Sequence, residues 1–484
     1  MKKSIKIIIA LFVLALALSL LAACRRDEDD PVVADPTPAA TPGDGAATPA
    51  PTPEVTPAPV ELLNREIRII CWWQYTPNTD DPQPDPATEL IYINARLWRD
   101  NQMRIEEQFG VTFYNIVIPR GDLRAAVTAG VLAGDPLADL TMFGSEHMLG
   151  VIAGNIIMSA DMYASPQSDL LNANRVVRPI AVFQDRIWSF GRNELETQGY
   201  GLIVNMDLLN AIGGENPVDI WERGEWTWDA WRDLMELAMV SPVGGENIFA
   251  LAGTTDRIFH TLIASNNGMM VDPYTWTYAF DHPNTMEALQ FAYDIFNTRG
   301  WWHYDPGYSP MNNWSADYWR FMEGRALFFF AASWAFAGDR PHPHFEFTPV
   351  PFPIGPNGTV YNRLGGFPQG MTITAGVYRP HDVFMIYEEL LQWAGDRMYL
   401  WTDGAYEYAR GSWLTEEDVH RVLHHIGNPA NMRFDLGMAI PDFPWVVNIW
   451  ANHFFHGSMG VAAAVEAYRG PRQAMIDDFL EGMD

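Results

Sequence analysis

The sequence predicts an α/β protein in which helices cover a parallel sheet. Short apolar runs alternate with segments whose apolar residues recur at helical spacing, and glycine or proline separates them. This βαβαβ order favours parallel strands that are joined by crossover helices. A chain of 484 residues is long enough for two or three domains of this kind.

The first half of the chain gives the clearer pattern. Its strands are predicted where apolar residues run almost without interruption, and its helices where apolar residues recur every three or four positions before a glycine. In chain order these elements are a strand at Ile67–Cys71, a helix through Leu90, Ile93 and Leu97 that ends at Gly110, a strand at Val111–Ile118, a helix with Leu123, Val127 and Val131 on one face that ends at Gly134, and a strand at Leu140–Phe143.

The second half repeats this style less regularly, and no internal repeat of fixed period is visible. Thr227 or Asp229 can supply the N-cap oxygen of a helix that carries Trp231. The predicted elements are a strand at Gly201–Val204, a helix from Met206, the helix with Trp231, Leu234 and Leu237, a strand at Phe249–Ala252, a helix over Thr285–Asn297, strands at Ala326–Ala331 and Gly370–Thr374, and mostly helices from Asp382.

The N-terminal segment is typical of an exported protein. Lysines at positions 2, 3 and 6 precede the apolar run from Ile7 to Leu20, and the segment ends in Leu21-Ala22-Ala23-Cys24. This ending resembles the lipobox of bacterial lipoproteins, which implies that Cys24 is lipidated and becomes the mature N-terminus. An uncleaved membrane anchor is the alternative, although the apolar run is near the lower limit for a span.

The segment from Pro31 to about Pro59 consists mainly of proline, threonine, alanine, glycine and acids, so it cannot bury enough surface to fold. We expect a tether that holds the folded part away from the membrane. A cleavable pro-segment is the alternative reading.

The composition excludes several functions. The net charge is −29, which disfavours binding to nucleic acids and other polyanions. All lysines lie in the signal segment, so the remaining chain can form neither a Schiff base nor a Walker A phosphate site. The only cysteine besides Cys24 is Cys71, which is expected to be a buried small hydrophobe rather than a reactive thiol.

Candidate binding residues follow the predicted strands, because ligands of open α/β sheets lie beyond the carboxyl ends of the strands. Indole rings beside carboxylates and an arginine suit a sugar, whose C–H face packs on the ring while its hydroxyls bond the charged groups. For each tryptophan, a place in the core is the alternative. The candidates are Trp72, Trp73, Glu146, His147, Thr255, Asp256, Arg257 and Trp334.

Other motifs give weaker signals. His342-Pro343-His344 and His424-His425 could bind a metal, but adjacent histidines do not share a face of an α-helix, and we expect loops there. A glycoside hydrolase needs two carboxylates at a set separation, which 60 acidic residues supply by chance. The sequence therefore predicts no metal site, no cofactor and no catalytic residue.

Five segments together resemble one family, the family-1 extracellular solute-binding proteins of ABC importers, and the similarity spans nearly the whole folded chain. These segments are Leu132–Pro136 with Ala138–Leu140, Tyr200–Leu209, Trp226–Asp229, Phe321–Ala326 with Ser333-Trp334, and Arg363–Gly366 through Ile373. The resemblance implies a two-lobe α/β fold of the type II periplasmic-binding-protein kind, with an interlobe cleft and three chain crossings.

The same resemblance implies domain boundaries and further contacts. Residues 1–23 would be the signal peptide and 24–60 the lipidated linker, with lobe one at 61–199 and 329–397 and lobe two at 200–328 and 398–484. The family's sugar contacts correspond to Trp72, Trp73, Glu146, His147, Trp334 and Trp445 in this chain. Gly366, in the segment that resembles the family's later strand of lobe one, is a further expected ligand-binding residue.

From these observations we expect a lipid-anchored receptor on the outer face of the cell membrane. It would capture an oligosaccharide between two lobes, present it to the membrane-embedded subunits of an ABC permease, bind no nucleic acid and act as a monomer. Three alternatives remain open: a secreted glycan-cleaving enzyme, a receptor for a polar solute that is not a sugar, and a binding protein that serves a sensor.

Overall fold

Strands and helices alternate along most of the chain. The computed structural model describes residues 64–72, 95–168, 170–171, 182–183, 186–191, 199–241, 248–253, 255–298, 301, 314–336, 341–361, 363–364, 369–393, 406, 409–428, 431–440, 443 and 458–481. All of them belong to one compact unit, residues 60–484. No described helix is long and apolar enough to cross a bilayer.

The strands are short, as their apolar runs predict. They are β1 (Arg65–Cys71), β2 (Val111–Val117), β3 (Leu140–Gly144), β4 (Ile157–Met158), β5 (Val182–Phe183), β6 (Arg186–Ile187), β7 (Tyr200–Asn205), β8 (Phe249–Gly253), β9 (Val271–Asp272), β10 (Thr277–Tyr278), β11 (Ala326–Ala332), β12 (Phe347–Val350), β13 (Arg363–Leu364), β14 (Gln369–Thr374) and β15 (Met432–Arg433).

The α-helices mostly follow the strands directly. They are α1 (Ala95–Phe109), α2 (Arg120–Leu132), α3 (Ser145–Ala153), α4 (Met206–Ile212), α5 (Pro217–Glu222), α6 (Trp228–Val240), α7 (Thr255–Ser265), α8 (Pro283–Tyr293), α9 (Trp314–Met322), α10 (Pro380–Leu390), α11 (Glu416–Arg421) and α12 (Val461–Glu481). π-Helical turns at Asp294–Thr298 and Val422–Ile426 extend α8 and α11, and 3₁₀ turns lie at Ala160–Met162, Ser333–Phe336 and Leu436–Met438.

The first sheet has the strand order β2-β1-β3-β14-β4. β1 pairs in parallel with β2 and β3, which confirms the predicted βαβαβ arrangement. The sheet is mixed, however, because β14 runs antiparallel to β3, with Gln369 opposite Gly144. The predicted parallel pairing therefore holds for β1, β2 and β3, and β14 adds an antiparallel strand that local patterning does not reveal because it comes from a distant segment.

The second sheet has the order β12-β7-β11-β8. β11 is buried along its whole length and pairs antiparallel with β7 and parallel with β8. β12 pairs antiparallel with β7 at the edge. The second sheet is therefore mixed as well, with β11 and β8 parallel to each other and β7 antiparallel to β11 and β12.

The chain changes from the second sheet back to the first later than expected. The expected boundary at residue 329 falls inside β11, and β12 still belongs to the second sheet. β14 then joins the first sheet. The return therefore lies between Val350 and Gln369, after which α11 packs against β12 and brings the chain to the second sheet again.

The tryptophan-rich turn before α6 forms part of the core. Thr227, and not Asp229, is the N-cap, because its hydroxyl accepts a hydrogen bond from the backbone N–H of Ala230 at 3.3 Å. Trp226 is fully buried, and its indole N–H donates to the carbonyl of Pro351 at 2.8 Å. This bond attaches the start of α6 to the segment that leaves β12.

Candidate binding site

Three strand-to-helix junctions of the first sheet meet through Arg120. Trp72 follows β1, Arg120 begins α2 after β2, and Glu146 lies in the first turn of α3 after β3. The Arg120 guanidinium lies over the Trp72 ring, with Cζ 4.8 Å from the ring centre. Its Nε donates a hydrogen bond to Glu146 Oε1 at 2.5 Å. The same edge of the sheet thus carries an indole, a guanidinium and a carboxylate in contact.

Glu146 is a buried ion, and 3% of its side chain is exposed. Burial alone would raise the pKa of Glu146, but the charge and hydrogen bond of Arg120, together with His147, lower it below its usual value. The helix N-terminus also favours negative charge at this position. Glu146 is therefore ionised at neutral pH and keeps Arg120 in place.

His147 lies on the other side of this ion pair. Its Nε2 is 3.7 Å from Glu146 Oε1 and 3.2 Å from the carbonyl oxygen of Arg120. Burial lowers the pKa of His147, although the charge of Glu146 opposes this change. The ring is therefore mostly neutral at pH 7, and because Nε2 faces two oxygen acceptors, Nδ1 is the nitrogen that can accept a hydrogen bond.

Gly144 allows the ion pair to lie close to the end of β3. A methyl group added at Gly144 would lie 2.8 Å from both Glu146 Oε1 and Arg120 Nη2. The backbone φ of −79° would suit any residue, so space and not conformation requires glycine here. A larger residue would displace the charged groups.

The second sheet contributes Tyr200 and Arg257. Tyr200 begins β7, and Arg257 lies in the first turn of α7 after β8, with its Cζ 4.8 Å from the Tyr200 ring centre. Tyr200 in turn stacks on Phe330 of β11, with ring centres 5.6 Å apart. This stack fixes the position of the Arg257 guanidinium.

Arg257 lies near the ion pair of the first sheet. Burial, with a smaller contribution from Arg120 and against the opposing charge of Glu146, lowers the pKa of Arg257 to about 9. The guanidinium therefore remains charged at pH 7. The charges of Arg120 and Glu146 thus act on Arg257, so charged residues of the two sheets interact electrostatically.

His260 follows Arg257 by one helical turn. It is 2% exposed, and neither ring nitrogen has a hydrogen-bond partner among the described residues. Burial and the charge of Arg257 lower the pKa of His260 to about 3, so the ring is neutral. A buried imidazole without partners is costly unless another group satisfies it.

The arrangement suits a small polar molecule. Two aromatic rings, Trp72 and Tyr200, lie beneath guanidinium groups, and a carboxylate and neutral imidazoles add acceptors and donors. Binding sites for polar ligands commonly combine flat apolar surfaces with a few convergent polar groups. The same groups can bind hydroxyls, carboxylates or phosphates.

The structure brings Trp72, Glu146 and His147 together around Arg120 in the first sheet, and it places Arg257 on Tyr200 in the second sheet. The Trp73, Gly366 and Trp445 positions lie outside the described residues, as does Cys24. Thr255, Asp256 and Trp334 are described in their backbone only, in α7 and in the turn after β11. These contacts stay predictions.

Sequence reasoning missed Arg120, Tyr200 and His260. Arg120 follows β2, so the rule that located Trp72 and Glu146 also applies to it. Tyr200 is the first residue of the segment Tyr200–Leu209, whose sequence does not indicate a contact with an arginine. His260 had no signal beyond its position one turn after Arg257 on the same helix face.

The chain is similar to proteins of known family and structure. The family profile described as bacterial extracellular solute-binding protein matches residues 109–395. No curated protein matches the chain. Among solved structures, the GacH receptor of Streptomyces glaucescens has a TM-score of 0.59 at 12% identity, covering 86% of this chain and 99% of its own.

Two further solved structures are similar to a comparable degree. The substrate-binding protein Lmo0181 of Listeria monocytogenes, in complex with cycloalternan, has a TM-score of 0.58 at 13% identity and covers 87% of this chain and 99% of its own. UgpB of Mycobacterium tuberculosis, in complex with glycerophosphocholine, has a TM-score of 0.59 at 14% identity and covers 85% and 98%.

These likenesses confirm the predicted fold, a two-lobe α/β architecture of the type II binding-protein kind. Its three crossings lie before β7, between β12 and β14, and between α10 and α11. The family profile covers more than half of the 484 residues. The chain therefore belongs to the bacterial extracellular solute-binding proteins.

Proposed function

We propose that the protein captures a carbohydrate between its two lobes and delivers it to an ABC permease. The observations that carry this proposal are the contacts of Arg120 with Trp72 and Glu146 at the end of the first sheet, and the action of both charges on Arg257 of the second sheet. In this proposal Trp72 stacks on the sugar ring, while Glu146, His147 and Arg257 bond its hydroxyls. Trp73, Thr255, Asp256, Trp334, Gly366 and Trp445 are the further expected contacts.

In this proposal each lobe is built around one of the two sheets. Lobe one contains β1 to β4 and β14, and lobe two contains β7, β8, β11 and β12. A solute that contacts both lobes binds the closed state better than the open one, so it shifts the equilibrium towards closure. A shift from mostly open to mostly closed needs about 5.5 kcal/mol of differential binding.

The ligands of similar proteins support a carbohydrate. The GacH receptor was solved with acarbose and Lmo0181 with cycloalternan. At 12 and 13% identity, however, these ligands guide the choice of compounds to be tested and do not identify the solute of this chain.

A screen of mono- and oligosaccharides by thermal unfolding tests the proposal. A true ligand at 100 times its dissociation constant should stabilise the native state by about 2.7 kcal/mol. Trp72→Ala should weaken binding by about 2 kcal/mol or more, because large aromatic anchors dominate such sites. Trp319→Ala, at an exposed tryptophan of α9, is the matched control. Stabilisation that W72A does not reduce would remove Trp72 from the site.

Incubation with labelled oligosaccharides separates binding from glycan cleavage. A receptor returns the labelled oligosaccharide intact and in stoichiometric amount, whereas an enzyme releases shorter products.

Small-angle scattering with and without the ligand should show a smaller radius of gyration in the bound state if the lobes close.

A polar solute with a phosphate group is the second candidate. UgpB was solved with glycerophosphocholine, and two guanidinium groups near each other, those of Arg120 and Arg257, suit a phosphate. Glycerophosphodiesters therefore belong in the screen. Stabilisation by these compounds and by no sugar would replace the carbohydrate proposal.

We further propose that Cys24 carries the lipid that attaches the receptor to the outer face of the membrane. Cys24→Ala should move the protein from the membrane fraction to the medium or periplasm and abolish labelling by radioactive palmitate. An unchanged membrane fraction would favour an uncleaved anchor instead.

A further inference from the structure

Three histidines cluster at the junction of α11 and the π-helical turn that follows it. The ring centre of His420 is 4.5 Å from that of His424 and 5.7 Å from that of His425. His420 and His424 are exposed, and His425 is half-buried. In an α-helix, His424 and His425 would lie on different faces. Here the rings of both lie close to His420.

The π-helical turn at Val422–Ile426 explains this arrangement. In an α-helix, residues three and four apart are neighbours on the surface. In a π-helix the hydrogen bonds join residues five apart, so a residue five positions on also returns to the same side. His424 therefore follows His420 at helical spacing, and His425 is brought close as well.

The two neighbours of His420 have different surroundings. His425 packs edge-on against Trp221 of α5, with ring centres 4.8 Å apart. His424 has no such aromatic contact in the described part of the chain, and its ring faces His420 alone.

The surroundings are negatively charged. A surface groove of about 870 Å³ beside the cluster is lined by His420 and His425 together with Glu222, Glu416 and Glu417. The cation in this lining, Arg421, is directed inward and donates to Asp418 Oδ1 at 2.7 Å. Glu417 precedes His420 by three residues and thus lies on the same face of the helix. Glu416 is paired with Arg410, whose Nε lies 3.1 Å from Glu416 Oε1, whereas Glu222 and Glu417 add negative charge to the groove beside His420.

We propose that His420 and His424 bind a divalent transition-metal ion such as Zn²⁺ or Ni²⁺. Imidazole nitrogens are suitable ligands for these ions and lie about 2.0–2.1 Å from zinc. Ring centres 4.5 Å apart allow one nitrogen of each ring to reach a common ion. Within the described residues, no three His, Cys, Asp or Glu side chains are placed to hold a metal, so water completes the coordination.

Calorimetric titration of the full chain with Ni²⁺, without any added histidine tag, tests the proposal. His420→Ala and His424→Ala should each remove one equivalent of bound ion or weaken its binding at least about tenfold. His425→Ala should retain the ion, because that ring packs on Trp221. His381→Ala, at a single histidine whose side chain is 70% exposed, is the matched control.

Circular dichroism of each variant checks that the fold is intact. Absence of saturable Ni²⁺ binding by the unmodified chain would overturn the proposal, as would full affinity in the double variant H420A/H424A. An equal loss in H381A or H425A would also overturn the assignment of the two ligands.

Discussion

Arg120 has the central place among the residues of the candidate site. It contacts Trp72 through its guanidinium face and Glu146 through a hydrogen bond, and its charge acts on Arg257. A half-buried arginine in this position depends on the carboxylate beside it. Glu146 therefore determines both the geometry of the site and part of the pH dependence of stability.

We expect the stability contributed by Glu146 to disappear in acid. Because the pKa of Glu146 is lowered by folding, this contribution is fully present above the ordinary glutamate pKa and is lost as the pH falls through the lower native value. Glu146→Gln should therefore lower the free energy of unfolding at pH 7, and the difference from the unmodified protein should shrink below about pH 4. Urea denaturation at both pH values measures it.

The exposed Glu323→Gln is the control for this experiment, since 56% of that side chain is exposed. Its effect on the free energy of unfolding should be small at both pH values. A constant difference between E146Q and the unmodified protein across the pH range would contradict the assignment of Glu146.

Gly144 gives a second prediction at the residue scale. Gly144→Ala should lower the free energy of unfolding by about 1–3 kcal/mol, because the added methyl group has to displace the Glu146–Arg120 pair. It should weaken solute binding as well. Gly121→Ala is the matched control, since a methyl group there meets nothing within 4 Å. Equal stability of the two variants, measured by urea denaturation, would count against this crowding.

At the scale of elements, α11 is attached to the edge of the second sheet by a buried ion pair. Asp418 and Arg421 are 3% and 8% exposed. Arg421 Nη1 donates to Asp418 Oδ1 at 2.7 Å and to the carbonyl of Pro349 at 3.2 Å, and Thr348 donates to Asp418 at 2.5 Å. The pair thus joins α11 to β12.

Arg421→Ala should lower the free energy of unfolding by about 3–5 kcal/mol, because it leaves the Asp418 carboxylate buried without its charge partner. Arg469→Ala should lower it much less, since its partners Asp281 and Glu466 are exposed and surface ion pairs contribute little to stability. Chemical denaturation of both variants gives the comparison. Similar losses in the two would show that burial does not distinguish these pairs.

Some elements of the fold could be predicted from the sequence and others could not. β1, β2 and β3 were predictable because each is a short apolar run that ends at polar residues, and this local rule also located Trp72 and Glu146. The antiparallel insertion of β14 and the return of the chain after β12 depend on contacts between distant segments. The proximity of Arg257 to Arg120 depends on the same long-range folding, so no local pattern could reveal it.

At the scale of the whole molecule, one hydrophobic cluster includes residues of both sheets. Ile70 of β1 and Phe143 of β3 belong to the same cluster as Leu202 of β7 and Phe328 of β11. A shared core couples the stability of the two halves, even where a solute has to enter between them.

We therefore expect the described part of the chain to unfold in one cooperative transition. Urea curves monitored by tryptophan fluorescence and by far-ultraviolet circular dichroism should coincide, with and without ligand. Two separated transitions would show that each lobe has an independent core.

The burial of Cys71 makes it possible to measure the proposed closure of the two lobes with introduced cysteines. The side chain is fully buried and lies 3.9 Å from the Met142 sulfur, so maleimide reagents in water cannot reach it. In a protein that begins after Cys24, cysteines introduced at Leu132 and Val240, which are 78% and 77% exposed, would be the accessible thiols. Spin labels at these two positions would report the interlobe distance by electron resonance while every native side chain of the cleft is kept.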